Sequence, residues 1–148
     1  MATSLAISKI DVLQQHCFQL AWLKANGLSY TSKSIKLLAK GVVANLLNAL
    51  TPTTPSWNGH NASGWKADLL AVNGFDEEMK YGGEDRELGE RLFHYGLSSK
   101  QIRYSAICVH LDHARGYVSD EVWKKNNAIR AYTKANKVIE TPNGIRSN

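Results

Sequence analysis

Between Ser8 and Ala25 the apolar residues Ile10, Leu13, Cys17, Leu20 and Ala21 recur at intervals of three and four. That spacing predicts one amphipathic helix, ended by Asn26-Gly27. A second stripe of Ile35, Leu38, Val42, Leu46 and Ala49 predicts a helix from about Ser34 to Leu50, with those residues on one face. The stretch TPTTPSWNG, from Thr51 to Gly59, then breaks the period. Its two prolines read as an extended loop and as the main internal boundary. The chain is thereby divided into a helical segment, 1–57, and a second region, 58–148.

Past the boundary the texture changes. Trp65 to Val72 reads as a short helix closed by the Asn73-Gly74 turn, and Phe75 to Met79 as a loop leading into Tyr81-Gly82-Gly83. From Arg86 to Tyr95 a helix carries Leu88, Leu92 and Tyr95 along one stripe and stops at Gly96. Gln101 to Val109, QIRYSAICV, alternates and is rich in branched and aromatic residues, which predicts a strand ending at His110. A final, rather polar helix is expected from Asp120 to about Lys137, anchored by Val122, Ile129 and Tyr132. One strand is too few for a sheet, so the chain reads as part of a fold.

Composition narrows the class. The 148 residues fit one domain or half of a larger one, and 43% hydrophobic with 21% charged residues supports a packed core. Lys and Arg number 18 against 13 Asp and Glu, a formal +5. This balance suits anionic partners such as nucleotide diphosphates, nucleic acid or an acidic lipid surface without choosing among them. No basic run is interleaved with aromatics, so nucleic acid is not expected. Cys17 and Cys108 are far apart in apolar surroundings and read as buried thiols in a reducing compartment. The N-terminus lacks a basic region before an apolar core, and no apolar segment approaches the roughly 20 residues of a membrane span. A cytoplasmic location is expected, with peripheral attachment at the inner membrane surface as an extension of it.

The chemistry concentrates in KYGGEDRELGERL, Lys80 to Leu92. Glu84 and Asp85 fall in the first turn of a helix, where unsatisfied N–H groups and the macrodipole favour negative charge. Acids there can be purely structural. The preceding Gly82-Gly83 adds a second reading, because residues without side chains let a loop swing or a ligand approach closely. With Tyr81 offering a flat face to a sugar ring or a base, the stretch reads as a lid over a reaction.

The run Asn58-Gly-His-Asn-Ala-Ser-Gly-Trp-Lys-Ala-Asp-Leu-Leu-Ala-Val-Asn-Gly-Phe-Asp-Glu-Glu78, followed by Tyr81-Gly-Gly-Glu-Asp-Arg-Glu-Leu-Gly-Glu-Arg-Leu92 and by Val109-His110, resembles the C-terminal half of family 2 glycosyltransferases. It is also similar to the C-terminal catalytic segment of β-1,4-galactosyltransferases, over about Asn58 to His113. The resemblance implies the C-terminal part of an α/β, GT-A type nucleotide-diphospho-sugar transferase, mostly helical here with few strands. It implies inverting transfer of a sugar from a nucleotide diphosphate sugar to a glycan or lipid-linked acceptor, as in polysaccharide biosynthesis. Position by position, Asp85 matches the general base, and Glu84 the acceptor-binding acid. Tyr81 and Gly83 lie in the acceptor loop, Asn61 in the segment lining the donor pocket, and His110 at the metal ligand. A carboxylate within hydrogen-bond reach of the attacking hydroxyl can take its proton as the new bond forms. The departing diphosphate calls for positive charge, which implies a divalent metal, Mn or Mg, with His110 as one ligand.

The same relatives carry an Asp-x-Asp motif that holds metal and nucleotide, and this sequence has none. The expectation is a half-enzyme that needs a missing N-terminal, donor-binding half or associates with its own kind, and that binds metal only with that half and the nucleotide sugar. The other reading is a non-catalytic remnant that binds a glycan or a partner. His110 and His113, with Asp112 between them, also resemble half of a zinc site that lacks a further ligand. His16 and His94 read as surface or satisfied histidines, and His60 as a loop residue beside the donor segment.

Overall fold

The computed structural model describes residues 7–29, 34–52, 56–109 and 119–146. The first expected helix is broken into three pieces, α1 (Lys9–Leu13), a 3-10 turn (His16–Phe18) and α2 (Leu20–Ala25). The break falls at Gln15, whose φ of 59° is left-handed and cannot continue a right-handed helix. Ser8 starts α1 in a capping box: the Asp11 N–H donates to Ser8 Oγ and the Ser8 N–H to Asp11 Oδ2. The Ser8 hydroxyl, its backbone N–H and then His16 hold the Asp11 carboxyl below its ordinary pKa. At the other end Gly27 turns left-handed, and the Leu28 N–H donates to Leu23 O, closing α2 where Asn26-Gly27 predicted.

The second expected helix is also divided, into α3 (Ile35–Leu38) and α4 (Gly41–Leu50), with Gly41 at φ 52° where the chain re-enters helix. Of the predicted inward stripe, Leu38, Val42 and Leu46 are exposed, and Ala44 is the buried residue of α4. The predicted strand Gln101–Val109 does not form. Instead the N–H groups of Ser105 and Ala106 both donate to Ile102 O, making a turn, and the Tyr104 N–H donates to Asn48 Oδ1 on α4. A strand is completed by a ladder with a neighbour, and this segment finds the polar side of a helix instead. The described residues are thus helix, turn and coil, without a strand. Cys17 is buried as expected, whereas Cys108 is exposed, and neither is in a disulfide.

The chain forms two compact units, Met1–Thr53 with Gln101–Ala114, and Thr54–Lys100 with Arg115–Asn148. Residues 101–114 belong with the first unit, so the units are not consecutive in sequence.

The second unit contains α5 (Lys66–Ala71), α6 (Glu84–His94) and α7 (Asp120–Asn136). Asn73 and Gly74, at φ 65° and 71°, turn the chain after α5 as predicted. Val72, Leu88 and Leu92 form a buried cluster against which Trp57, Leu69 and Leu97 pack, while Tyr95 is exposed. Gly89 lies mid-helix because Trp57 passes close: a Cβ there would sit 2.9 Å from the Trp57 backbone nitrogen. Ser119 caps α7 through its hydroxyl. The α7 residues that turn inward are Asn126 and Thr133, not the expected apolar anchors; Val122 and Ile129 are half-buried and Tyr132 is exposed.

Two polar networks make those inward positions possible. Arg91, fully buried, donates from Nε to both carboxylate oxygens of Glu87 at 2.9 Å, from Nη1 to Val72 O and from Nη2 to Gly74 O at 2.7 Å. Thr133 Oγ1 donates to Glu87 Oε1 at 3.0 Å, joining α7 to the same group. Beside it, Asn73 Nδ2 donates to Thr141 O and Asn73 Oδ1 accepts from the Arg146 N–H, while Thr141 Oγ1 donates to Asp76 Oδ2. The VNGFD stretch therefore latches the C-terminal segment and anchors α6.

Candidate active site

The site forms at the N-terminus of α6 and lies within the second unit. Gly82 and Gly83 both have positive φ, 115° and 91°, and Gly83 is the N-cap. Close approach to α7 also requires them: a Cβ on Gly82 would lie 3.0 Å from Trp123 Cε2, and one on Gly83 would lie 3.1 Å from Arg130 Cδ. Asn126 of α7, with no exposed surface, donates from Nδ2 to Lys80 O at 3.0 Å and to Gly82 O at 2.8 Å. The glycines expected as a swinging hinge therefore serve a tight, clamped turn.

The turn presents the two acids differently. Glu84 folds back and accepts the Gly82 N–H through Oε2 at 2.6 Å, tying the loop to the first turn of the helix. Asp85 reaches out of the helix: its Oδ2 accepts the Gly59 N–H at 3.0 Å and its Oδ1 the Arg86 N–H at 2.7 Å. Gly59 belongs to a turn closed by the Asn61 N–H donating to Asn58 O at 2.9 Å, held from behind by Trp57 against Gly64 and Gly89. The Asn58–Asn61 turn and the GGED loop, 26 residues apart at the contact, are thus joined through one carboxylate. Each oxygen of Asp85 keeps a second lone pair for a further donor.

Tyr81, Gly83, Glu84 and Asp85 are brought together, with Tyr81, Glu84 and Asp85 half-buried, and Asn61 lies in the turn that Asp85 holds. His110, together with Asp112 and His113, lies outside the described residues. Among the described residues no group of three or more His, Cys, Asp or Glu side chains could hold a metal ion, so they do not by themselves fit the expected divalent cation. His94 is satisfied, its Nδ1 2.9 Å from Val138 O, and His16 pairs with Asp11 and stacks on Trp22. Asn126, the clamp of the loop, was not anticipated. Its signal was a polar residue seven before Thr133 on one face of α7, a spacing that usually marks apolar positions. Glu87 and Arg91 were missed in the same way, four apart and interleaved with Leu88 and Leu92.

Residues 53–114 match a family model described as the N-terminal domain of galactosyltransferase. Over that segment, less than half of the chain, the sequence is similar to galactosyltransferases, a resemblance that points to the glycosyltransferase class. The motif order had suggested a C-terminal half, whereas the matched model is described as N-terminal. No curated protein and no solved structure matches the chain.

Proposed function

We propose that the α6 N-terminus is the acceptor side of an inverting sugar transferase, with Asp85 as general base and Glu84, Tyr81 and Gly83 shaping the acceptor site. The observation that carries this reading is the Gly59–Asp85 hydrogen bond. It draws together the Asn58–Asn61 turn, which this reading places at the donor pocket, and the GGED loop, which it places at the acceptor. A carboxylate steered by two backbone N–H groups is held in one orientation, and proton removal from a hydroxyl depends on that orientation. The nucleotide diphosphate donor, the glycan or lipid-linked acceptor and the GT-A architecture belong to this proposal. A divalent metal with His110 as ligand is the expected companion of the diphosphate, and no step here is routed through it.

A second reading, a glycan-binding module without catalysis, is favoured by the lack of an Asp-x-Asp motif in the sequence. The two readings separate in one experiment. The protein is incubated with uridine- and guanosine-diphosphate sugars, manganese and a panel of oligosaccharide acceptors, and nucleotide release and product are followed. Catalysis predicts acceptor-dependent release that falls about 10²–10⁴-fold in Asp85→Asn at unchanged melting temperature. Acceptor binding without turnover, equal in wild type and Asp85→Asn, would establish the binding module instead.

A further inference from the structure

Helix α4 of the first unit buries Ala44 and leaves most of its larger apolar side chains exposed. Its ten residues, Gly41–Leu50, carry no charge. The half-buried Asn48 and the exposed Asn45 bond to the 104–105 turn: Asn48 Oδ1 accepts the Tyr104 N–H at 2.8 Å, Asn48 Nδ2 donates to Ser105 Oγ at 2.8 Å, and Ser105 Oγ donates to Asn45 Oδ1 at 3.3 Å. Four apolar side chains are turned to solvent, with Val42 83%, Val43 59%, Leu46 56% and Leu50 68% exposed. Leu38 on α3 adds to the same character at 60%. Contiguous apolar surface of this kind on a helix marks a face that something covers.

Charge identifies the occupant. From Val12 to Ala67 the sequence has no Asp or Glu and has five lysines. The first unit, Met1–Thr53 with Gln101–Ala114, holds six Lys and Arg against two Asp, so four of the chain's five net positive charges reside there. Lys40 stands exposed at the N-cap of α4 and Lys36 one turn earlier on α3. An apolar helix face bordered by lysines and devoid of carboxylates matches an anionic lipid surface, where the apolar residues enter the acyl boundary and the lysines reach the headgroups. A second copy docked through the same face would bring those lysines no carboxylate, because the sequence has none from Val12 to Ala67. At about 15 Å, α4 is too short to cross a bilayer and would lie in its plane. No helix among the described residues is long and apolar enough to span one.

We propose that the first unit docks on anionic lipid bilayers through the Val42, Val43, Leu46 and Leu50 face of α4, with Lys36 and Lys40 contacting the headgroups. This does not depend on the sugar-transfer reading. The test is co-sedimentation of the full chain with vesicles of phosphatidylcholine alone, or of equal parts phosphatidylcholine and phosphatidylglycerol, at low and high salt. Binding is expected on the mixed vesicles, weakened by salt and much reduced on phosphatidylcholine alone. Val42→Ser with Leu46→Ser lowers it by about tenfold or more, and Lys36→Gln with Lys40→Gln by roughly 25-fold. Phe93→Ser, an exposed apolar residue of α6 in the other unit, leaves it unchanged. Substituting exposed side chains preserves the helix, which circular dichroism confirms for each variant. Absence of binding to the mixed vesicles, or equal binding by all variants, overturns the proposal. So does light scattering without lipid that shows a dimer dissolved by the Val42→Ser, Leu46→Ser pair, since a second copy would then be the occupant.

Discussion

Asn126 Nδ2 lies 2.8 Å from Gly82 O, and through that contact, 44 residues apart in sequence, α7 holds the loop that presents Asp85. The same amide reaches Lys80 O, so one buried side chain satisfies two carbonyls of a turn that has no ladder or helix of its own to satisfy them. Asn126→Ala orphans both and is expected to destabilise the second unit by about 1–3 kcal/mol. Asn126→Asp keeps the shape but cannot donate while ionised, and should be no better than alanine. Urea denaturation gives the loss, and faster amide exchange at Gly82 and Gly83 should accompany it. An aspartate variant as stable as wild type would show that packing, not donation, holds the loop.

Gly89→Ala separates helix propensity from packing. In an exposed helix interior this change stabilises by roughly 0.5–1 kcal/mol. Here the new methyl would meet the Trp57 backbone nitrogen at 2.9 Å and Trp57 Cβ at 3.0 Å, and backbone cannot rotate aside as a side chain can. Net destabilisation of about 1–3 kcal/mol is expected. Because Trp57 leads directly into Asn58 and Gly59, its displacement should also weaken the Gly59–Asp85 hydrogen bond. A Gly59 amide that exchanges faster in Gly89→Ala, at denaturant concentrations far below unfolding, is the measurement.

What could be read from the sequence, and what could not, divides along a physical line. α5 with its Asn73-Gly74 turn, α6 with its Gly96 stop and α7 rest on signals within a few residues of one another, and all three formed close to their expected bounds. The 101–109 segment has strand composition, but a strand is a relation between two segments, and its partner turned out to be Asn48 of α4. The stripe of α4 was read correctly as a stripe and assigned to the wrong side, because periodicity gives a face and not what lies against it. For the candidate site, Glu84 and Asp85 were singled out by a motif, and both fall in the first turn of α6 as expected. Asn126, Glu87 and Arg91 were not, since a buried polar residue resembles a surface one until its partners are known.

The capping box of α1 makes a pH-dependent prediction. The Ser8 hydroxyl and N–H hydrogen bonds, with His16, lower the Asp11 pKa in the folded state. A folded pKa below the unfolded one means stability that is present above the unfolded carboxylate value and lost as pH falls through the lowered folded value. The start of α1 should therefore remain intact at neutral pH and fray only in acid. Carbon-detected NMR titration of the Asp11 carboxyl should place its midpoint below that of an exposed aspartate. In Ser8→Ala the midpoint should move up toward the ordinary value, and a midpoint unmoved by that substitution would remove Ser8 as the cause.

The Glu87–Arg91 pair offers the sharpest test of how the second unit is held. Both side chains are buried, at 1% and 0% exposure, and removing one leaves the other charged and unpaired, which costs about 3–5 kcal/mol. Arg91→Met and Glu87→Met should each be that severe. Replacing a buried ion pair with apolar residues is often neutral, and here it should not be. Arg91 also donates to Val72 O and Gly74 O, and Glu87 also accepts from Thr133 Oγ1, so the double variant leaves two carbonyls and a hydroxyl without partners. The double variant should therefore lose less than the sum of the singles while staying destabilised by about 2 kcal/mol or more. Its damage should spread to the C-terminal latch, because the Val72–Gly74 turn that Arg91 grips also carries Asn73, which holds Thr141 and Arg146. Limited proteolysis that cuts after residue 137 in the double variant, at conditions where wild type resists, is the expected result. A double variant as stable as wild type, with its C-terminus still protected, would mean that apolar packing alone suffices at this junction.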